Sequence, residues 1–337
     1  MKWHDAEGLG IRGRGWPGEG TEYARLPAYA QEYVTDVVWR LSRQSAGLYV
    51  EFVSDTTAIH GRIRLAKPPA DGHEYIKYLD LYCRDGGGCW RWAGASRFGV
   101  VPSGETPVVE GIPRQQRHWR MYLPLTYEVE ALEIGVADDA FLNPAPEDSR
   151  KPVVVYGTSI VHGGNHPSRP GMVWPSIVGR RLDWPLVNLG FSGSARCEPA
   201  LANVLAELDP AVFVIDPLAN MGQGRGLVDK NAEPFLRTLL EARPDTPLIM
   251  MDDRTHADAW LRPTYAAAQH EKQAAFRAIA DRLRKDGYCV GYIEGADLIG
   301  HDGEGTRDGS HPNDLGAMRY AEVVTSHLET LVLSEVL

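Results

Sequence analysis

The sequence predicts two regions of different class: an antiparallel β-sandwich of jelly-roll-like kind over residues 1–140, then an α/β region over residues 152–337 built on a five-stranded parallel sheet with helices on both faces. Three observations lead there. Short period-2 runs separated by Gly, Pro and Asp fill the first half, the pattern of sandwiches and barrels. From residue 152 the rhythm changes to apolar strand-like runs, each followed by a helical pattern, which within one sheet gives parallel strands and right-handed crossovers. Between the two, residues 141–151 are polar, proline-containing and aperiodic, and are read as a linker.

The elements follow in order. Residues 1–20 are rich in glycine around Trp16-Pro17 and read as an irregular arm. Strand-like runs then come at Val37–Leu41, Leu48–Val53, Ile59–Leu65, Tyr75–Tyr82, Trp90–Trp92, His118–Leu123 and Val129–Val136, with no long helix among them. The parallel strands are expected at 152–156, 185–189, 211–216, 247–252 and 288–293. Helices with apolar residues at three- and four-residue spacing are expected at about 172–182, 198–208, 231–242, 263–286 and 314–333.

At 337 residues the chain exceeds the size at which one core usually stops growing, consistent with two domains. The formal charge of -10 and the lack of a basic patch argue against nucleic acid or an anionic membrane as a partner. Met1-Lys2-Trp3-His4-Asp5 lacks the apolar core of a signal peptide, and no run reaches the roughly 18 apolar residues of a membrane span. The expectation is a soluble, cytoplasmic protein whose oligomeric state, including a homo-oligomer, is left open. Cys83, Cys89, Cys197 and Cys289 are too scattered for a zinc site or a disulfide framework, and free thiols are expected.

The chemistry gathers where the strands end. Val153-Val154-Val155-Tyr156 stops at Gly157 and presents Thr158-Ser159, and parallel sheets bind ligands at the carboxyl ends of their strands. After the second strand come Ser192, Gly193 and Ser194, after the third Asn220, after the fourth Asp253 and Arg254. Asp308-Gly309-Ser310-His311 precedes the last helix. A serine hydroxyl attacks only when a histidine takes its proton and a carboxylate holds that histidine's tautomer. Ser159, His311 and Asp308 supply the three, with Ser159 N–H, Gly193 N–H and the Asn220 amide as oxyanion donors. Ser192 and Ser194 are rival nucleophiles, but their turn setting suits local hydrogen bonds better. Val161 stands where an α/β-hydrolase elbow needs glycine.

Four blocks in this order resemble the SGNH, or GDSL, hydrolases: Gly157-Thr158-Ser159-Ile160, Asn188-Leu189-Gly190-Phe191-Ser192-Gly193, Asp216-Pro217-Leu218-Ala219-Asn220 and Asp308-Gly309-Ser310-His311. Tyr78-Leu79-Asp80-Leu81-Tyr82 and Ser168-Arg169-Pro170-Gly171-Met172 are similar to a subgroup with a small β-domain ahead of the catalytic one. The resemblance implies a flavodoxin-like three-layer α/β/α fold and a carboxylesterase, with carbohydrate O-acetyl groups a frequent substrate class, and no metal or organic cofactor. Thr158 departs from the family's usual aspartate, and Ala219-Asn220-Met221 from its Gly-Gly-Asn-Asp form.

His162, Arg169 and Arg254 are candidates for substrate contact. Each has a plainer reading: His162 and His166 as solvated loop residues rather than a metal pair, Arg169 as a structural anchor, and Asp252-Asp253-Arg254 as an ion-paired support. Trp90, Trp92 and Trp119 could stack on sugar rings or fill a core. The functional expectation is a serine esterase acting on a small-molecule or carbohydrate ester. An acyltransferase or thioesterase with the same triad is the alternative, and a non-catalytic carbohydrate-binding protein the third reading.

Overall fold

The computed structural model describes residues 1–67, 79–96, 105–164 and 167–333. The chain divides into two compact units, Met1–Ala28 with Arg40–Ser149 and Ser168–Gly171, and Tyr29–Trp39 with Arg150–Pro167 and Met172–Leu337.

Among the described residues the first unit holds strands β1 (Lys2–Asp5), β2 (Ile11–Arg12), β3 (Tyr49–Ser54), β4 (Ala58–Leu65), β5 (Asp80–Arg84), β6 (Trp90–Ala95), β7 (Glu105–Glu110), β8 (Arg117–Tyr122), β9 (Val129–Val136) and β10 (Leu142–Pro144). They form two antiparallel sheets, ordered β1-β9-β4-β7 and β10-β3-β8-β5-β6, with β2 also paired to β3. Alternation makes β4 two-sided: Ile59, Gly61, Ile63 and Leu65 are buried while the residues between them are not. Phe52, Trp119 and Met121 of one sheet share a single apolar core with Ile59, Leu132 and Ile134 of the other.

Four elements differ from the sequence reading. Val37–Leu41 lies in helix α2 (Asp36–Ser42), not a strand. Thr35 Oγ1 accepts the Val38 N–H at 3.3 Å and Asp36 occupies the first turn, a helix start that outweighs two valines. The arm is not all irregular: β1 pairs with β9 from Lys2↔Val136 to Asp5↔Glu133, and Asp5 caps the short helix α1 (Ala6–Leu9). β7 was hidden by Pro107, which an edge strand tolerates. Leu142–Pro144, in the stretch read as linker, pairs with β3. Residues 75–78 of the expected Tyr75–Tyr82 run lie outside the described residues; Asp80–Tyr82 enter β5.

The second unit is built on β11 (Val153–Gly157), β12 (Leu186–Gly190), β13 (Val212–Asp216), β14 (Leu248–Met251) and β15 (Val290–Ile293), all parallel and ordered β12-β11-β13-β14-β15. β11 through β14 are buried at every position, as strands covered on both faces must be. On one face lie α4 (Trp174–Arg181) and α8 (Asp314–Leu328), where Trp174 stacks on Tyr320 with ring centroids 6.1 Å apart. On the other, Phe235 of α6 (Glu233–Ala242) stacks on Tyr156 at 4.8 Å. Helices α3 (Ser159–His162), α5 (Pro199–Leu205) and α7 (Pro263–Lys285) complete the layers. The strand order reverses between β12-β11 and β13, and the carboxyl ends there form the switch point at which such sheets bind ligands.

Gly157 and Gly190 are register partners at that edge. A Cβ on Gly190 would stand 2.1 Å from His162 N, and one on Gly157 would stand 2.4 Å from Val161 Cγ2 and 2.8 Å from Asp216 O. α3 can therefore rest directly on the strand ends. Gly190→Ala is expected to lower stability by about 1–3 kcal/mol, because backbone rather than a flexible side chain must yield. A urea midpoint equal to wild type would show that α3 is not seated this way.

Candidate active site

Ser159 is the first residue of α3. Thr158 caps this helix by accepting the Ile160 N–H on Oγ1 at 3.3 Å, and Gly163, in the left-handed region at φ 80°, ends it by donating its N–H to Ser159 O at 2.8 Å. A threonine in place of aspartate thus keeps the cap. Asn188 of β12 donates to Val161 O at 2.7 Å while its Oδ1 accepts the Gly190 N–H at 2.9 Å, tying the helix to the neighbouring strand. His162 has no exposed surface, and Ser192 N and Oγ approach its Nδ1 at 3.5 and 3.2 Å. The candidacy of His162 for substrate contact is corrected accordingly. Helical register turns the ring inward, where it braces the turn after β12. His166, its suggested loop companion, lies outside the described residues.

The three residues read as a triad meet. Ser159 Oγ is 2.9 Å from His311 Nε2, and His311 Nδ1 is 2.8 Å from Asp308 Oδ2. The other Asp308 oxygen, Oδ1, accepts the N–H groups of Ser310 at 3.0 Å and His311 at 2.8 Å, so the carboxylate fixes both the ring and the backbone that carries it. Partial burial works to raise the Asp308 carboxyl, but the His311 N–H, the His311 ring and the Ser310 N–H outweigh it and hold the group well below its ordinary value. With Nδ1–H directed to an ionised carboxylate, Nε2 is left to accept from the serine hydroxyl. The loop is closed by Arg307 N–H to His311 O at 2.9 Å and by Gly309, left-handed at φ 85°, whose N–H reaches Thr306 Oγ1 at 3.0 Å.

Asn220 ends a single 3₁₀ turn, Leu218–Asn220, after β13. Its Oδ1 accepts the Ala195 N–H at 3.3 Å, which assigns the amide and leaves Nδ2 as the donating end. Gly193 lies in the turn after β12 at φ 72°. Ser159 N–H, at a helix start, has no intrahelical acceptor. Donor groups and hydroxyl thus line the ends of β11, β12 and β13, an arrangement able to hold a tetrahedral oxyanion.

Residues 150–329 match the model of the GDSL-like lipase/acylhydrolase family. The chain belongs to that family. Residues 1–142 of the hydrolase match a second model, described as the N-terminus of SGNH hydrolase-type esterases. Among solved structures, a GDSL-like lipase from Bacteroides ovatus is 28% identical with a TM-score of 0.90 over 98% of each chain. A salicylyl-acyltransferase from a tetracycline biosynthetic pathway shares the fold at 20% identity and a TM-score of 0.74, over 91% of this chain and 89% of its own. A family two carbohydrate esterase from Clostridium thermocellum, in complex with cellohexaose, does so at 12% and 0.62, over 85% and 94%. A search of curated proteins finds no match.

Behind the acid-base loop of the hydrolase lies a buried charge cluster. Arg254 is 3% exposed; its Nε donates to Ser310 O at 2.9 Å, and its remaining nitrogens bond Asp253 Oδ1 and Ser310 Oγ. This corrects its candidacy for substrate contact: the guanidinium is consumed by the loop it supports. Asp216 Oδ2 is buried with no hydrogen-bond partner among the described residues, and burial, then the nearby Asp253 charge, drives its carboxyl well above the ordinary value. Among the described residues no group of three His, Cys, Asp or Glu side chains could hold a metal ion, and no helix is long and apolar enough to cross a membrane.

Arg169 is an anchor within the first unit. Its Nη1 reaches both oxygens of fully buried Asp80, at 3.1 and 2.9 Å, and Asp80 also accepts from Gly171 N at 2.8 Å and Trp92 Nε1 at 3.0 Å. Trp119 belongs to the core, Trp90 lies under the guanidinium groups of Arg84 and Arg120, each 4.4 Å from its ring centre, and Trp92 is 53% exposed. Asn188, Asp80 and the α7 residues Gln269, Lys272 and Gln273 were given no role by sequence reasoning. Three polar residues at i, i+3 and i+4 were the available signal on α7, but that spacing alone reads as a solvated face.

Asp252, which follows β14, is driven up to about 7 by burial, against its hydrogen bond from Asp253 N–H and the Arg277 guanidinium 3.5 Å away. The folded hydrolase therefore binds this proton more tightly than the unfolded chain does, and the group costs stability as pH climbs from about 4 through 7. Asp252→Asn is expected to gain stability relative to wild type over that window and to keep a constant gain above it. Denaturation midpoints at about pH 4, 6 and 8 measure the difference, and a difference that does not change with pH would refute it.

Proposed function

We propose that the hydrolase is a serine esterase in which Ser159 attacks the ester carbonyl, with O-acetyl groups on a carbohydrate or another small hydroxylated compound as substrate. The observation that carries this is the unbroken relay from Ser159 Oγ through His311 to Asp308. His311 Nε2 takes the serine proton as the C–O bond forms, and Asp308 stabilises the imidazolium through Nδ1–H. Ser159 N–H, Gly193 N–H and Asn220 Nδ2 receive the oxyanion. Collapse of the intermediate expels the alcohol, protonated by His311, and leaves an acetyl-serine ester. Water then attacks that ester with His311 as base, releasing acetate and restoring the hydroxyl. We assign this chemistry to residues 152–337, with the amino-terminal region as a separate domain whose sheet takes in Leu142–Pro144 of the stretch read as a linker over 141–151.

The acetyl and carbohydrate choice is supported by the family resemblance and by a carbohydrate esterase among the structural relatives. An acyltransferase among them makes transfer to a second alcohol the alternative. The two are separated by product analysis with a competing alcohol present.

Ser159→Ala is expected to lower kcat by about 10⁴- to 10⁶-fold on an aryl acetate, and Asn220→Ala by about 10²- to 10³-fold. Near wild-type turnover by Ser159→Ala would overturn the assignment. The pH–rate profile should carry an acidic limb, since a protonated imidazole cannot act as base. A panel of acetyl, butyryl and longer aryl esters beside acetylated sugars tests the substrate class, and preference for long chains would argue against an acetyl pocket.

A further inference from the structure

Helix α7 presents Gln269, Lys272 and Gln273 on one face, and the first two are buried at 6% exposure each. Gln273 Nε2 donates to Asp253 O at 2.7 Å and Gln269 Nε2 to Arg254 O at 2.6 Å, so the helix grips the backbone just past β14. Lys272 Nζ lies 2.8 Å from Asp253 Oδ2 and 2.8 Å from Leu218 O, the first carbonyl of the turn that ends in Asn220. The other Asp253 oxygen is bound by Arg254, whose remaining donors hold Ser310 O and Oγ. Ser310 immediately precedes His311, and its N–H is bound by Asp308 Oδ1.

We infer that Lys272, Asp253 and Arg254 form one buried ionic brace that positions both parts of the catalytic machinery: Lys272 sets the turn carrying Asn220, and Arg254 sets the loop carrying Asp308 and His311. This rests on the roles proposed above for those three residues. The brace joins the two loops through the two oxygens of a single carboxylate. Well-packed apolar side chains would stabilise such a position as well as charges do, but they could not fix two carbonyl oxygens and a hydroxyl in place. None of the three residues of the brace is itself assigned contact with the reacting atoms; they are positioning residues.

The test is a double-mutant cycle in the full chain, with kcat normalised to the Ser159 sites labelled by an organophosphonate, so that unfolded protein does not count. Lys272→Met is expected to lower kcat about 10- to 10²-fold while KM stays within about two-fold, since only stabilisation realised in the transition state is lost. Placed on Asn220→Ala, it should add less than about two-fold, because its target is already gone. Wild-type kcat in Lys272→Met, or penalties that multiply with those of Asn220→Ala, would overturn the brace. Ser310→Ala is a gentler second probe that keeps Arg254 paired with Asp253; a several-fold loss of kcat supports the Arg254 arm and no loss refutes it. Ser159→Ala, run alongside, separates the failures. If it is inactive while Lys272→Met and Ser310→Ala are unimpaired, the brace alone falls. If it retains turnover, the catalytic assignment falls and the brace with it.

Discussion

At the carboxyl edge of the parallel sheet Gly157 and Gly190 stand side by side, and α3 rests where their side chains would be. Everything that sets the serine's direction follows from this contact. Because the helix lies on the strand ends, Asn188 can reach its backbone and His162 is driven inward against Ser192. Its first residue then projects from the edge toward the loop before α8, where His311 meets it. A larger residue at either glycine would lift the helix and move the hydroxyl from the imidazole, a displacement that catalysis by positioning tolerates poorly.

The carboxyl groups of this unit separate into two kinds. Asp308 is partly exposed, receives three donors and is held strongly acidic. Asp216 and Asp252, buried with fewer donors, are driven the other way. Asp253 is equally buried yet stays acidic: burial works against its charge, but Arg254 and Lys272 outweigh it. Burial and the nearby Asp253 charge thus disfavour a charge on Asp216, and the two cations that hold the loops are paired with Asp253.

The parallel strands were legible because burial on both faces writes itself as short runs dominated by Val, Ile, Leu and Met, and the observed ends lie within two residues of the reading. The catalytic candidates were legible for a related reason: each lies just past a strand or in a short loop where local spacing carries meaning, as Asp308 and His311 do. What stayed hidden depends on long-range contact. Lys272 reads as an ordinary helix-surface lysine until Leu218 O and Asp253 meet it. Arg254 and His162 each carried two readings, since sequence places a residue after a strand but does not say which way its side chain turns; the contacts decide for the ion-paired support at Arg254 and for burial, rather than a solvated loop or substrate contact, at His162. Earlier in the chain, Thr35 and Asp36 carried a helix signal that two valines concealed, and Pro107 concealed an edge strand.

Ser168–Gly171 follows the serine in the chain but folds with the first unit, where buried Asp80 accepts from Arg169 and Gly171. The two regions are thereby entangled as units of inheritance. A recombination that replaced residues 1–142 with an unrelated sandwich would strip the Arg169 guanidinium of its counter-charge and Gly171 of its acceptor, ten and twelve residues downstream of Ser159. Exchange of the amino-terminal half is therefore open only to partners that bring their own carboxylate to that position.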